Sequence, residues 1–138
     1  DILVLDEADM IADSFLEEVF KISEKFKEAK KFFEFATRLD LDDYNCNTRE
    51  GIHTTSIAAA WMNIVYGFGG LRSDKKVLTL NPIIIDEWQS YSFKIKYQNV
   101  KIKVEVNKEN VIINVDKPIK LRIYSNDYEI TDKLEVKH

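Results

Sequence analysis

The sequence predicts an α+β chain, a helical segment followed by an antiparallel β-sheet or sandwich. Two observations carry that expectation. Apolar residues in the first half recur every three or four positions, whereas after Arg72 they recur every second position. Between the two regimes lie Gly67, Gly69 and Gly70, a local break in any helix. The expected division is a helical segment over residues 1–72 and a β-domain over residues 73–138.

Phe15, Val19, Ile22, Phe26, Ala29, Phe33 and Ala36 alternate four- and three-residue steps, with Lys and Glu between them. This is the pattern of an amphipathic helix. Asp13 or Ser14 would cap its start, and Arg38 near its end suits the helix dipole. Leu39 to Gly51 (LDLDDYNCNTREG) is polar and turn-rich, hence a loop. The next helix, Ile57 to Tyr66 (IAAAWMNIVY), is apolar nearly all the way round and Asn63 is its one strongly polar residue. Such a helix requires cover from the sheet, another copy or further chain.

In the second half, Phe93, Ile95 and Tyr97 alternate with Lys94 and Lys96. Ile102, Val104 and Val106 alternate with Lys101, Lys103 and Glu105. These are half-buried strands. Gln98-Asn99 and Asn107 to Asn110 suit hairpin links, and Val111 to Val115, Ile119 to Tyr124 and Tyr128 to Val136 supply further strands. Pro118 stands just ahead of a strand, where it removes no ladder bond.

Composition narrows the function classes. The chain has 138 residues, 45% hydrophobic and 32% charged, which is ordinary for a soluble globular protein. Twenty basic and 24 acidic side chains leave a net charge of −4 without a basic tract, so nucleic acid is not an expected partner. No apolar run approaches the roughly 20 residues that span a bilayer. One cysteine, Cys46, excludes an intramolecular disulfide and, with no His or Cys cluster near it, a zinc site. The expected setting is cytoplasmic. Asp1 opens the chain without Met or a signal-type apolar core, which suggests a fragment or a processed product.

Arg49 to Arg72 (REGIHTTSIAAAWMNIVYGFGGLR) resembles the segment with which glycoside hydrolase family 65, the maltose, trehalose and kojibiose phosphorylases, closes its (α/α)₆ catalytic barrel. The lead-in ATRLDLDDYN (Ala36 to Asn45) is similar to the preceding family tract. Asn81-Pro82, Glu87-Trp88 and YSFKIKY (Tyr91 to Tyr97) look like the entry into the family's C-terminal β-domain. These words cover residues 36 to 106. The sequence departs from the family at Ala59-Ala60, where an Ala-Gly pair is frequent, and at Ile85, where Pro is common. No counterpart of the family's Ser-rich, His-containing helix precedes Ala36.

The resemblance implies inverting phosphorolysis of an α-glucoside. One carboxylic acid protonates the leaving oxygen while inorganic phosphate, a co-substrate and not a cofactor, replaces the activated water of an inverting hydrolase. Gly51 to Ser56 (GIHTTS) sets one imidazole, three hydroxyls and backbone N–H groups at a helix start, a natural anion site. In the family this His lies in the phosphate pocket, so His53 is the principal candidate, with Thr54, Thr55 and Ser56 beside it. The general acid would be a Glu upstream in the barrel, so no catalytic residue is assigned here. Read without the family, His53 is an ordinary capping or packing residue. Asp40, Asp42 and Asp43 read as a solvated or structural run, and Trp61, Phe68, Trp88 and Tyr91 read as packing.

Two helices cannot close a six-hairpin barrel, so the isolated chain is expected to be inactive. Disaccharide and phosphate are the expected partners of the parent enzyme, and the apolar helix calls for the barrel or a second copy. Two rival readings stand beside this one: a noncatalytic carbohydrate-binding or interaction module, and a hydrolase of the same family. The absence of an acid among residues 53–56 favours phosphate over the hydrolase. Ile2 to Asp9 (ILVLDEAD) resembles motif II of DEAD-box helicases, but no G-x-x-x-x-G-K-[ST] loop accompanies it.

Overall fold

A computed structural model describes residues 12–44, 46, 48–73 and 77–138; the helicase-like tract lies outside them. The chain forms two compact units that divide after Trp61.

In the first unit, helix α1 is described over Ala12–Arg38, a length that follows from the sustained apolar stripe; Asp13 and Ser14, expected as its cap, are already helical. Thr37 returns its hydroxyl to the Phe33 carbonyl at 2.8 Å, and Arg38 grips Asp42 with two bonds of 2.8 and 2.6 Å. That pair closes the C-terminal turn, where a cation suits the helix dipole. The chain then turns through residues 39–44 and a short 3₁₀ turn, Thr48–Glu50, before helix α2, Thr54–Met62. None of the α2 side chains is buried, and Ile57, Trp61 and Met62 are each about half exposed. Trp61, expected in a core, is therefore not buried here.

Past Met62 the helix widens to a π-helical stretch, Asn63–Phe68, where a single α-helix to Tyr66 was expected. Gly69 N–H reaches back five residues to the Ile64 carbonyl at 2.7 Å. Gly70, at φ +59°, ends the segment, and Arg72 donates to the Tyr66 and Leu71 carbonyls at 2.8 and 2.7 Å. Of the three glycines, Gly70 is the one whose backbone is left-handed, the conformation that disfavours a Cβ.

Among its described residues the second unit holds seven strands in two sheets: β1 (Leu78–Leu80), β2 (Ser90–Tyr97), β3 (Val100–Asn107), β4 (Asn110–Val115), β5 (Ile119–Ile123), β6 (Asn126–Ile130) and β7 (Lys133–Lys137). The order is β2-β3-β4-β7 in the larger sheet, all antiparallel, and β1-β5-β6 in the smaller, where β1 and β5 run parallel. The alternation predicted for β3 appears directly: Val100, Ile102, Val104 and Val106 are buried while Lys101 stays exposed. Gln98 and Asn99 both take positive φ, +47° and +63°, as a two-residue type I′ hairpin requires. At the next link, Asn107 Oδ1 accepts from the Glu109 and Asn110 N–H groups at 2.8 and 2.9 Å.

Tyr128 to Val136, expected as one strand, is two. The chain leaves β6 in the smaller sheet, crosses at Thr131-Asp132, and enters the larger sheet as β7; the Asp132 carbonyl accepts the Val115 N–H at 2.8 Å. Leu78, Leu80, Leu121 and Ile123 from one sheet and Val104, Val106, Val111 and Ile113 from the other form one core with Val65, Leu71 and Phe93. This is the sandwich arrangement. Phe68 packs at a tilt against Trp88, with ring centres 4.6 Å apart, and Trp88 meets Tyr91 edge-on at 5.8 Å. The Tyr91 hydroxyl lies 2.7 and 2.8 Å from the Phe68 and Ile83 carbonyls, and burial pushes its phenol well above the ordinary value. Phe68, Trp88 and Tyr91 thus pack together, as the sequence reading expected.

Candidate functional site

The loop between α1 and α2 decides where His53 points. His53 immediately precedes α2, and its carbonyl accepts from the Ser56 and Ile57 N–H groups at 2.9 and 3.3 Å, so it stands at the cap position. Its own N–H, one of the donors a helix start leaves over, goes to Asp40 Oδ2 at 2.8 Å. The other oxygen of the same carboxylate, Oδ1, lies 2.5 Å from His53 Nδ1. One carboxylate therefore holds both the backbone and the imidazole of His53, and fixes the ring as well as the helix entry.

Asp40 is well shielded, with 14% of its side chain exposed, whereas His53 retains 38%. The ring hydrogen bond holds the Asp40 carboxyl below the usual carboxylate range, against the opposing effect of desolvation. The sign follows from linkage: a depressed carboxylate contributes stability that is complete above its unfolded pKa, about 3.9, and lost as pH falls through the lower folded value. The Asp40 carboxyl carbon, followed by NMR, is expected to titrate below about pH 3.9, with the His53 amide moving in step. A midpoint at or above that value would contradict the pairing.

The three aspartates that read as one acidic run have three separate partners. Asp42 pairs with Arg38, Asp43 Oδ1 accepts from the Thr48 hydroxyl at 2.7 Å and its N–H at 3.1 Å, and Asp40 takes His53. The structural reading of Asp42 and Asp43 agrees with these contacts. The Asp40–His53 link was not apparent in sequence, because the two stand thirteen positions apart in a tract without helical or strand periodicity.

Thr54 and Thr55 are exposed in the first turn of α2 and Ser56 is half-buried. Asp40 holds Nδ1 of His53 on the same helix terminus that carries these hydroxyls. The terminus already carries the Asp40 carboxylate, so an added anion must be met by the ring and the hydroxyls as well as by the dipole. Groups of three or more His, Cys, Asp or Glu side chains suited to a metal are absent among the described residues. Cys46 is exposed as a free thiol, and no described helix is long and apolar enough to cross a membrane.

Two family models match the chain: the glycosyl hydrolase family 65 central catalytic domain over residues 11–62, and the family 65 C-terminal domain over residues 71–130. Among curated proteins it is 37% identical over 111 residues to the maltose phosphorylase of Bacillus subtilis, which covers 79% of this chain and 15% of that protein. It is 40% identical over 111 residues to the α,α-trehalose phosphorylase of Thermoanaerobacter brockii, covering 80% of this chain and 14% of the relative. A solved structure described as a putative kojibiose phosphorylase from human microbiome is 54% identical, with a TM-score of 0.76, over 81% of this chain and 15% of that one. The chain thus spans about one seventh of the relatives it matches.

Proposed function

Since the chain belongs to glycosyl hydrolase family 65, we propose that it is the C-terminal portion of an inverting disaccharide phosphorylase and contributes part of the phosphate site. Residues 1–72 supply the end of the (α/α)₆ barrel in this reading, and residues 73–138 the supporting β-domain. His53 binds inorganic phosphate with Thr54, Thr55 and Ser56, while the general acid comes from the upstream barrel. The substrates are phosphate and a disaccharide of the maltose, trehalose or kojibiose kind, by kinship with relatives that carry those names. A cytoplasmic setting belongs to the same proposal.

The observation that carries it is the single carboxylate that orients both the backbone and the ring of His53 at the start of α2. A residue that merely capped the helix would not need its imidazole held as well. The half-exposed Ile57, Trp61 and Met62 agree with a helix that the rest of a barrel covers.

Phosphorolysis breaks the glucosidic C–O bond, forms a new C–O bond from phosphate to the anomeric carbon on the opposite face, and delivers one proton from the acid to the leaving sugar. Phosphate must therefore be held in line behind the anomeric carbon, which is a positioning task. The full-length enzyme incubated with each of the three disaccharides is expected to consume one phosphate per bond cleaved and release β-glucose 1-phosphate. Cleavage at the same rate without phosphate would replace this reading with the hydrolase. The 138-residue chain alone is expected to show neither activity.

A further inference from the structure

The two sheets of the second unit arrange their outward charges in opposite ways. On the smaller sheet, Lys120 stands opposite Glu129 and Arg122 opposite Asp127, whose carboxylate accepts from Arg122 Nε and Nη2 at 2.5 and 2.9 Å. On the larger sheet, Lys94 stands opposite Lys103 and Lys96 opposite Lys101. The sequence has no basic tract, and the fold assembles one across β2 and β3.

Opposite charges across a strand pair stabilise a sheet, and like charges directly opposite destabilise it. Glu105 pairs with Lys103, and Asp116 accepts the Lys101 backbone N–H at 2.7 Å. The ammonium groups of Lys94, Lys96 and Lys101 are exposed and have no ion pair among the described residues. Lysines guard an edge strand against pairing with other strands, which accounts for Lys94 and Lys96, because β2 is an edge of its sheet. It does not account for Lys101 and Lys103, which lie on the inner strand β3. The repulsion that the smaller sheet avoids is thus kept on the larger one.

We propose that this lysine face, with the edge of β2 that no described strand pairs, docks an extended acidic segment of a partner protein. A segment that adds as a strand to β2 gains backbone hydrogen bonds and sets its outward side chains opposite Lys94 and Lys96. Both strands repeat every second residue, about 6.7 Å, so carboxylates at alternate positions fall in step with the lysines. Lys101 and Lys103 stand two strand spacings away, about 10 Å, and their flexible four-carbon stems carry their charge toward the same segment. Charge also selects the occupant: β2 of a second copy would only add lysines to the face. The outward side chains of β2 and β3 include no aromatic ring on which a nucleobase could stack.

The experiment is amine acylation of the full-length enzyme, read residue by residue by mass spectrometry, alone and with a short peptide of alternating Glu and Thr. In the enzyme alone Lys94, Lys96 and Lys101 are expected to acylate readily. With peptide at twice its Kd the free fraction, and with it the acylation rate of Lys94 and Lys96, is expected to fall about threefold. Lys120, which faces Glu129 on the other sheet, keeps its rate. The protection is expected to fade as salt rises. K94E/K96E turns both like-charged pairs into opposite ones, and is expected to stay folded by circular dichroism and to bind no peptide. Lysines already shielded in the enzyme alone would mean that the upstream chain covers the face, and would overturn the proposal. So would an absence of protection, or peptide binding retained in K94E/K96E. Equal protection by a peptide with its Glu and Thr in separate blocks, by inorganic polyphosphate or by phosphatidylserine vesicles overturns it as well, because the face would then attract any polyanion.

Discussion

His53→Ala in the full-length enzyme is expected to raise the phosphate KM on the order of 10²-fold while the disaccharide KM stays within about twofold. The magnitude comes from the loss of one hydrogen bond to an ionised partner, about 1.5–3 kcal/mol. The selectivity comes from geometry. His53 sits at the start of α2 with its ring fixed by Asp40; in the proposed reading its removal deletes a contact to the anion and leaves the Asp40 carboxylate close to the incoming charge. Repulsion from that carboxylate adds to the lost bond. Initial-rate kinetics with each substrate varied in turn reads both constants. Equal weakening of both substrates would mean that the substitution disturbed the barrel end as a whole, and no weakening would return His53 to the role of a cap.

The second large effect is structural. Gly70→Ala is expected to destabilise the β-domain by about 2–5 kcal/mol, from two sources. A left-handed residue with a Cβ costs about 1–2 kcal/mol, and Gly70 stands at φ +59°. The added Cβ would also lie 2.3 Å from the Asn81 carbonyl oxygen and 2.7 Å from its carbon, far inside van der Waals contact. Those are backbone atoms, so relief requires the segment that follows β1 to shift against the end of the π-helical stretch, at a cost typical of overpacking, about 1–3 kcal/mol. Small domains are stable by only about 5–15 kcal/mol, so the loss is a large share of the total. Urea unfolding followed by fluorescence measures it, with Trp88 reporting from within the Phe68-Trp88-Tyr91 cluster. A change below about 0.5 kcal/mol would show that the turn relaxes freely.

Much of the fold was legible because alternation is a strong constraint. A one-residue slip in β3 would move Ile102, Val104 and Val106 from the core to water, so the sequence that fits the strand also states its facing. The turn at Gln98-Asn99 was legible for the same reason, as a two-residue gap between alternating runs. Strand β1 was not, because Leu78, Thr79 and Leu80 are all buried and a strand covered on both sides shows no alternation. The passage between sheets at Thr131-Asp132 was equally hidden. The residues on either side alternate without interruption, and only the pairing of β6 with β5 and of β7 with β4 separates them.

The site divides along the same line. The words around His53, REGIHTTSIAAAW, carry a resemblance that the central catalytic domain match over residues 11–62 bears out. Asp40 lies in a loop, where spacing carries no geometric information, and its role emerges only when the chain folds back to place one carboxylate against the start of α2. The widening of the helix at Asn63 was also invisible, since a π-helical stretch differs from an α-helix by one residue of register and IAAAWMNIVY suits either.

The most direct test of the phosphate site is a structure of the full-length enzyme with phosphate bound. The anion is expected within hydrogen-bond distance, about 2.7–3.2 Å, of the His53 ring and of at least one hydroxyl among Thr54, Thr55 and Ser56, with Nδ1 still on Asp40. Phosphate bound in the barrel with His53 beyond that reach would contradict it, and α2 would then be only the covered end of the catalytic domain.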